Sequence, residues 1–272
     1  MKSFKMKALA VAVLGLAGFG MAGSAFAICP TIAAGNAAPG GGGAWTSQTV
    51  TTQTFGQSVT GGLNGTSCAL STAMNAGAAV NTKGYVTDAS PQNEPRYRAR
   101  FYVKTAGMTS LTAANRSFRV FTALATTTPA SPGAGAEMVF INVLGGATPS
   151  LNIKVGDTSA GIGYATTGGA FPNAAGSYRI EFDLQQGVKA GANCNSVTPT
   201  GGCFRFWISD AASATTDAAP TGAIAVTNSG WSGVKQINLG LFGTSTNFRV
   251  NLAGQPLILD EFDSRRQTFI GL

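Results

Sequence analysis

The sequence predicts an all-β protein, built as one β-sandwich or jelly roll of about a dozen antiparallel strands. Short apolar or alternating segments recur roughly every ten residues, and Gly, Pro, Asn and Ser separate them. The chain contains 37 glycines among its 272 residues, and no helical period of useful length follows Ala27. No segment repeats at a period of about 20 to 50 residues, which argues against a propeller or a solenoid.

Residues 1–27 have the three parts of a secretory signal peptide. Lys2, Lys5 and Lys7 give a positive start, residues 8–21 are apolar, and residues 25–27 read Ala-Phe-Ala, a cleavage pattern. The apolar stretch is shorter than the roughly 20 residues that a spanning helix needs. We therefore expect an exported bacterial protein of the periplasm, cell surface or extracellular space that does not span the membrane after cleavage.

Residues 28–44 form a Gly/Ala-rich arm by composition, and residues 45–272 form the predicted sandwich domain. All four cysteines follow the leader, which suggests two disulfides in an oxidising compartment. Cys194 and Cys203 bracket a turn-rich loop and are expected to pair, which leaves Cys29 to pair with Cys68. Four cysteines allow three connectivities, and the alternative of a zinc site is weak because no CxxC spacing occurs.

The strands are expected where apolar or alternating segments lie between turn residues. In chain order they cover residues 45–55, 67–74, 84–88, 96–104, 116–124, 137–143, 151–155, 177–184, 203–209, 223–227, 234–242 and 257–262.

Three of these segments alternate cleanly, so a period of two assigns their side chains to opposite faces of a sheet. The predicted polar face carries one set of residues from each segment: Arg96, Arg98, Arg100 and Tyr102; Arg179, Glu181 and Asp183; and Cys203, Arg205 and Trp207. The predicted core face carries the aromatic and aliphatic residues between them.

Charge and composition exclude several classes of function. The chain has 18 basic and 11 acidic residues, three of the basic ones lie in the leader, and no basic run occurs. Nucleic-acid binding normally needs a basic patch, so we do not expect it. The chain has no histidine, which removes His-dependent triads and the commonest metal ligand.

The chain from residue 45 onward resembles concanavalin A-like lectin/glucanase (LamG-like) jelly rolls, in particular small bacterial secreted members. The resemblance rests on residues 88–103, 178–184, 237–241 and 259–264, which read DASPQNEPRYRARFYV, YRIEFDL, INLGL and LDEFDS. It implies a concanavalin A-like fold. It is weakly specific for function, because this fold hosts lectins, hydrolases, lyases and adhesive modules.

The resemblance also implies a candidate catalytic pair, Glu181 and Asp183. Glucanases of this fold carry Glu-x-Asp-x-x-Glu on one strand, and retaining hydrolysis needs two carboxyl groups about 5–5.5 Å apart. Here Gln186 replaces the last Glu, and an amide cannot act as the acid/base. The alternative is that both carboxylates pair with arginines on neighbouring strands.

A wider hypothesis makes the polar face a glycan-binding groove. Trp207 would stack on a sugar ring, and the charged groups would fix its orientation; those groups are Arg98, Arg100, Arg205, Glu181 and Asp183. The alternative is a self-neutralising charged face with a half-exposed tryptophan.

The acidic cluster near the C-terminus is a weak candidate for a structural calcium site. Asp260, Glu261 and Asp263 offer the oxygen ligands that calcium takes. Arg265 and Arg266 lie close by, and the alternative is that the acids pair with these arginines or with the arginines of segment 96–100.

Together these observations favour a secreted, non-enzymatic module that binds glycan or serves as a cell-surface or matrix component, and they leave catalysis open. Two alternatives remain. One is a carbohydrate-active enzyme, a degenerate glucanase-like hydrolase that uses Glu181 and Asp183. The other is a self-assembling structural subunit in which the arm adds a strand to a neighbouring copy.

Overall fold

The computed structural model describes a β-sandwich. The described residues are 45–51, 54–58, 62–63, 69–73, 82–105, 117–126, 137–159, 163–172, 176–210, 219–251, 255–265 and 270. The predicted leader, the arm, Cys29 and Cys68 lie outside them, as does Arg266. Within the described residues, no helix is long and apolar enough to cross a membrane.

Fourteen strands and one short helix occur in the described residues. They are β1 (Ser47–Val50), β2 (Thr54–Ser58), β3 (Ala69–Ala73), β4 (Gly84–Asp88), β5 (Arg96–Thr105), β6 (Ser117–Leu124), β7 (Glu137–Leu144), β8 (Ser150–Gly156), β9 (Tyr164–Ala170), β10 (Ser177–Gln185), β11 (Cys203–Asp210), β12 (Gly222–Ala225), β13 (Gln236–Phe242), α1 (Thr246–Asn251) and β14 (Leu257–Arg265).

The strands form two antiparallel seven-stranded sheets. The first sheet has the order β1-β4-β13-β6-β7-β8-β9, and the second has the order β12-β11-β10-β5-β14-β3-β2. The all-β sandwich predicted from the sequence is therefore confirmed. Residues 45–55 form two strands rather than one, β9 was not predicted, and helix α1 is an addition.

The core lies between the two sheets, and it is built from the apolar sides of the alternating strands. Phe101 of β5 stacks on Phe121 of β6 with ring centroids 5.8 Å apart, and Phe121 meets Phe182 of β10 at 4.9 Å. These aromatic contacts join the two sheets and each adds about 0.5–1.5 kcal/mol beyond the area it buries. The alternation therefore leaves a polar outer face on each sheet.

A disulfide closes the loop between β10 and β11. Cys194 and Cys203 are bonded, with their Cα atoms 5.4 Å apart, as their spacing predicted. The predicted Cys29–Cys68 bond lies outside the described residues and stays a prediction.

Candidate functional site

The structure brings the predicted site residues together on the outer face of the second sheet, called here the charged face. It consists of Arg96, Arg98, Arg100, Arg179, Glu181, Asp183, Arg205 and Trp207 on β5, β10 and β11. The central strand β10 pairs on one side with β5 and on the other with β11. Sequence alternation therefore identified the membership of this face correctly.

The carboxylates of the charged face are paired with arginines. Nε of Arg98 donates to Oε1 of Glu181 at 2.6 Å, and Nη2 of Arg96 donates to Oδ2 of Asp183 at 2.8 Å. Arg205 also pairs with Asp183. Burial alone would raise the pKa of Asp183, but hydrogen bonds from Arg96 and Arg205 outweigh it, and the pKa is lowered. Asp183 is therefore held as an anion, which does not suit a general acid.

Trp207 is covered on the charged face rather than open to a sugar. The guanidinium carbon of Arg98 lies 4.5 Å from its ring centroid and that of Arg205 lies 5.2 Å away. Only 5% of Trp207 is exposed. The backbone N–H of Ile270 donates to Oε1 of Glu181 at 3.0 Å, so Ile270 also lies against this face.

Glu181 and Asp183 are 0% and 1% exposed, and Arg98 and Arg205 are equally buried. In this conformation a polysaccharide does not reach either carboxylate. Binding by the charged face therefore stays a prediction, and it would require the face to be uncovered.

Gln186 does not share a surface with Glu181 and Asp183. It follows the end of β10, and its Nε2 donates to the main-chain oxygens of Asn228 and Trp231. Gln186, the third position of the glucanase-like motif, therefore lies beyond the strand that carries Glu181 and Asp183.

The acidic residues of β14 make hydrogen bonds and an ion pair with neighbouring groups. Oδ2 of Asp260 accepts the backbone N–H of Leu63 at 2.7 Å, and Oδ1 accepts that of Glu261 at 2.8 Å. Glu261 has a positive φ of 45° at a bulge in the pairing with β5, and its carboxylate lies 3.6 Å from Arg100. No group of three or more candidate metal ligands occurs among the described residues. Calcium binding stays a prediction without a site.

A second candidate site lies on the outer face of the first sheet, and sequence reasoning missed it. Here a pocket of about 500 Å³ opens across β4, β13, β6 and β7. Its volume falls in the range of about 300–1,000 Å³ typical of ligand sites. It is lined by Thr82, Lys83, Tyr85, Thr122, Glu137, Asn238, Phe242, Gly243 and Thr244.

Glu137 is the carboxylate among the described lining residues, and Arg119 is its partner. The guanidinium of Arg119 lies over the ring of Phe140, 4.0 Å from the centroid, and its Nη1 donates to Oε1 of Glu137. Burial raises the pKa of Glu137, and the charge and hydrogen bond of Arg119 only partly offset this. A half-buried carboxyl with a raised pKa is suited to proton transfer.

Side-chain hydrogen bonds connect the residues at the floor of the pocket. Oδ1 of Asn238 accepts from the hydroxyl of Thr87 at 2.9 Å, and its Nδ2 donates to the hydroxyl of Thr122 at 3.3 Å. These bonds fix the amide across three neighbouring strands. The floor is therefore rigid, as a binding site requires.

The pocket walls add aromatic and cationic groups. Tyr85 packs against Phe242 with ring centroids 5.2 Å apart, and Nζ of Lys83 lies 5.9 Å from the Tyr85 ring centroid. The hydroxyl of Thr82 is buried without a hydrogen-bond partner within the described structure. Such a hydroxyl is available to a bound polar ligand.

Comparisons with known proteins show the fold. No protein-family model and no curated protein matches the chain. Among solved structures, the endo-beta-1,4-glucuronan lyase of the fungus Trichoderma reesei matches with a TM-score of 0.52 and 15% identity, over 81% of this chain and 90% of that one. The match supports the concanavalin A-like jelly-roll resemblance.

Two further solved structures have lower TM-scores. The carbohydrate esterase of the Shiga toxin-encoding bacteriophage phi24B matches with a TM-score of 0.47 and 14% identity, over 81% of this chain and 90% of that one. The alginate lyase of Klebsiella pneumoniae matches with a TM-score of 0.48 and 8% identity, over 80% of this chain and 85% of that one.

The comparison corrects the expected function. The favoured interpretation was a non-enzymatic binding module or matrix component, but a solved structure with a TM-score of 0.52 is a glucuronan lyase. The fold comparison therefore fits the alternative, a carbohydrate-active enzyme, better than the main expectation. The residues on which the binding-module interpretation depended are buried on the charged face, where Trp207 is 5% exposed.

Proposed function

We propose that this protein is a carbohydrate-active enzyme that cleaves a uronate-containing polysaccharide in the pocket of the first sheet. The observation that carries the proposal is Glu137, a pocket carboxyl whose pKa is raised by burial. The glucuronan lyase of similar fold supports the choice of substrate class.

Elimination suits this pocket better than hydrolysis. Both classes of two-carboxylate hydrolase place a second carboxyl group within about 10 Å of the first. The described lining residues contain Glu137 and no second carboxylate. Elimination can be carried by one group that takes a proton and returns it.

In the proposed reaction, ionised Glu137 removes the proton from the sugar carbon next to the uronate carboxylate. The carbon–oxygen bond to the neighbouring sugar breaks, a carbon–carbon double bond forms, and the proton passes from Glu137 to the leaving oxygen. No water is consumed and Glu137 is regenerated. A raised pKa makes the carboxylate a stronger base for this step.

The other pocket residues position the substrate. Lys83 supplies the positive charge that a uronate carboxylate needs as negative charge builds up beside it. Arg119 holds the Glu137 carboxylate in place through its ion pair and its contact with Phe140. Tyr85 and Phe242 offer apolar surface to the sugar ring.

The test is turnover of polyglucuronate, followed by the ultraviolet absorbance of the unsaturated product. The wild type is expected to generate that product, and Glu137→Gln is expected to lose activity by about 10²–10⁴-fold. Glu94→Gln is the matched control, because Glu94 does not line the pocket. Equal rates for wild type and Glu137→Gln would remove Glu137 from the mechanism.

Export to an oxidising compartment is part of the proposal. It is supported by the leader pattern of residues 1–27 and by the Cys194–Cys203 disulfide. Sequencing the N-terminus of protein recovered from outside the cytoplasm tests it, and cleavage after Ala27 is the expected result. An intact leader on the exported protein would contradict it.

A further inference from the structure

The outer face of the first sheet continues past the pocket along β7, β8 and β9. The pairing register places Asn142 opposite Asn152 and Asn152 opposite Gly168. The neighbouring row places Phe140 opposite Lys154 and Lys154 opposite Thr166. The residues on β7 and β8 face outward, because their neighbours along each strand lie in the core, and Gly168 of β9 is exposed.

The outward-facing residues of β7, β8 and β9 just described are called here the strip. Its edge on β9 carries small side chains. Gly168 and Ala170 are exposed on its outer side, so no long side chain rises there. A Cβ at Gly168 would lie 2.1 Å from the main-chain oxygen of Leu151, so a larger residue does not fit without a backbone shift. With strands about 4.7–4.9 Å apart, the three strands offer a surface about 10 Å wide beside the pocket.

Polar groups are spaced along this surface. Asn142, Asn152 and Lys154 are half-buried, so part of each side chain reaches solvent. Nζ of Lys154 lies 5.6 Å from the ring centroid of Phe140, on which Arg119 also packs. The Phe140 ring is therefore shared by Lys154 of the strip and by Arg119, which pairs with Glu137 in the pocket.

The charge of the strip favours an acidic ligand. On the described strands β6 to β9, the charged side chains are Arg119, Lys154 and Glu137. Arg119 already pairs with Glu137, which leaves Lys154, two positions from Asn152 on β8, as the other cation of these strands. A lysine flanked by amide groups suits a carboxylate-bearing sugar, whose hydroxyls the amides can bind.

We propose that Asn142, Asn152 and Lys154 form a second sugar subsite, which binds a further acidic residue of the same polysaccharide chain. The assignment of cleavage to the adjoining pocket rests on the proposed function, whereas binding by the strip does not. The open strip lets the chain continue across β9, so the enzyme takes the interior of a polymer rather than only its end.

The test measures binding in the Glu137→Gln background, which removes turnover. Affinity gel electrophoresis with polyglucuronate as the probe is expected to show binding that falls about tenfold with Lys154→Gln and with Asn152→Ala. Lys104→Gln is the matched control, because Lys104 is an exposed lysine on the second sheet. A neutral β-1,4-glucan is expected to bind more weakly than polyglucuronate.

The outcomes separate the two proposals. If Lys154→Gln weakens binding while the wild type cleaves no polyglucuronate, the subsite stands and the proposed function fails. If the wild type cleaves polyglucuronate while both strip variants bind it unchanged, the function stands and the subsite is overturned. Absence of polyglucuronate binding also overturns the subsite.

Discussion

Arg119 reaches Glu137 although the sheet does not place them opposite one another. The register pairs Arg119 with Asn142, and Glu137 lies at the far end of β7 beside Leu124. The guanidinium spans this gap by lying across the ring of Phe140, 4.0 Å from its centroid. The pair is therefore held by an aromatic ring as well as by charge, which fixes the position of the carboxylate in the pocket.

Removing Arg119 should move the pH dependence of activity. Arg119 lowers the pKa of Glu137 against the larger effect of burial, so Arg119→Met is expected to raise that pKa further. The rising limb of kcat/KM against pH then shifts to higher pH, because the base must be ionised. If kcat/KM of the variant rises over the same pH range as that of the wild type, ionisation of Glu137 does not control this pH dependence.

Glu137 should also make stability fall with pH. Its pKa is raised in the folded state, so the folded state binds the proton more tightly than the unfolded state does. The resulting stabilisation is present below the unfolded pKa and is lost as pH rises through the folded pKa. As pH rises from the unfolded to the folded pKa of Glu137, the melting temperature of the wild type should fall relative to that of Glu137→Gln. A constant difference would contradict the raised pKa.

The Arg98–Glu181 pair should be costly to break from one side. Both side chains are almost fully buried, at 1% and 0% exposure. Glu181→Gln removes the carboxylate that lies beside both Arg98 and Arg179, and it is expected to lower the free energy of unfolding by about 3–5 kcal/mol. Arg98→Met combined with Glu181→Gln should recover part of the loss. Denaturant unfolding of the full double-mutant cycle measures this, and additive losses would show no coupling.

Asp183 should contribute to acid sensitivity. Hydrogen bonds and charges from Arg96 and Arg205 outweigh the burial that opposes them, so its pKa is lowered in the folded state. The stabilisation is present above the unfolded pKa of the carboxyl and is lost as pH falls through the folded pKa. Asp183→Asn should therefore be less stable than wild type at neutral pH, with the gap closing in acid. A gap that widens in acid would reverse this account.

The Cys194–Cys203 bond should stabilise the loop before β11. The two residues are nine positions apart. In the chain-entropy model a loop of this size contributes about 2–3 kcal/mol. Replacing both cysteines with serine should lower the free energy of unfolding by that amount in urea. The same measurement under reducing conditions should affect wild type more than the variant, because the variant keeps only the predicted Cys29–Cys68 bond.

The fold was predictable because the strands that build its core alternate. The segments 178–184 and 96–103 carry aromatic or aliphatic residues at every second position, and both became central strands of the second sheet. Strand β9 escaped prediction because its sequence, YATTGGA, is rich in glycine, which is depleted in strands. Strand β9 forms because it pairs with β8 in the sheet, and not because its residues have a high intrinsic preference for strands.

The two outer faces show where pattern reasoning ends. Alternation identified the charged face, but it did not reveal that Arg98 packs on Trp207 and closes it. The pocket escaped because Lys83, Glu137 and Asn238 are far apart along the chain. They meet only through the strand order β4-β13-β6-β7, which no linear period specifies.

The most direct test of the account is a crystal structure of Glu137→Gln soaked with a glucuronate oligosaccharide. We predict sugar density in the pocket of the first sheet, with a uronate carboxylate beside Lys83 and the chain continuing over Asn142 and Asn152. Density on the charged face around Trp207, with the pocket empty, would contradict the account.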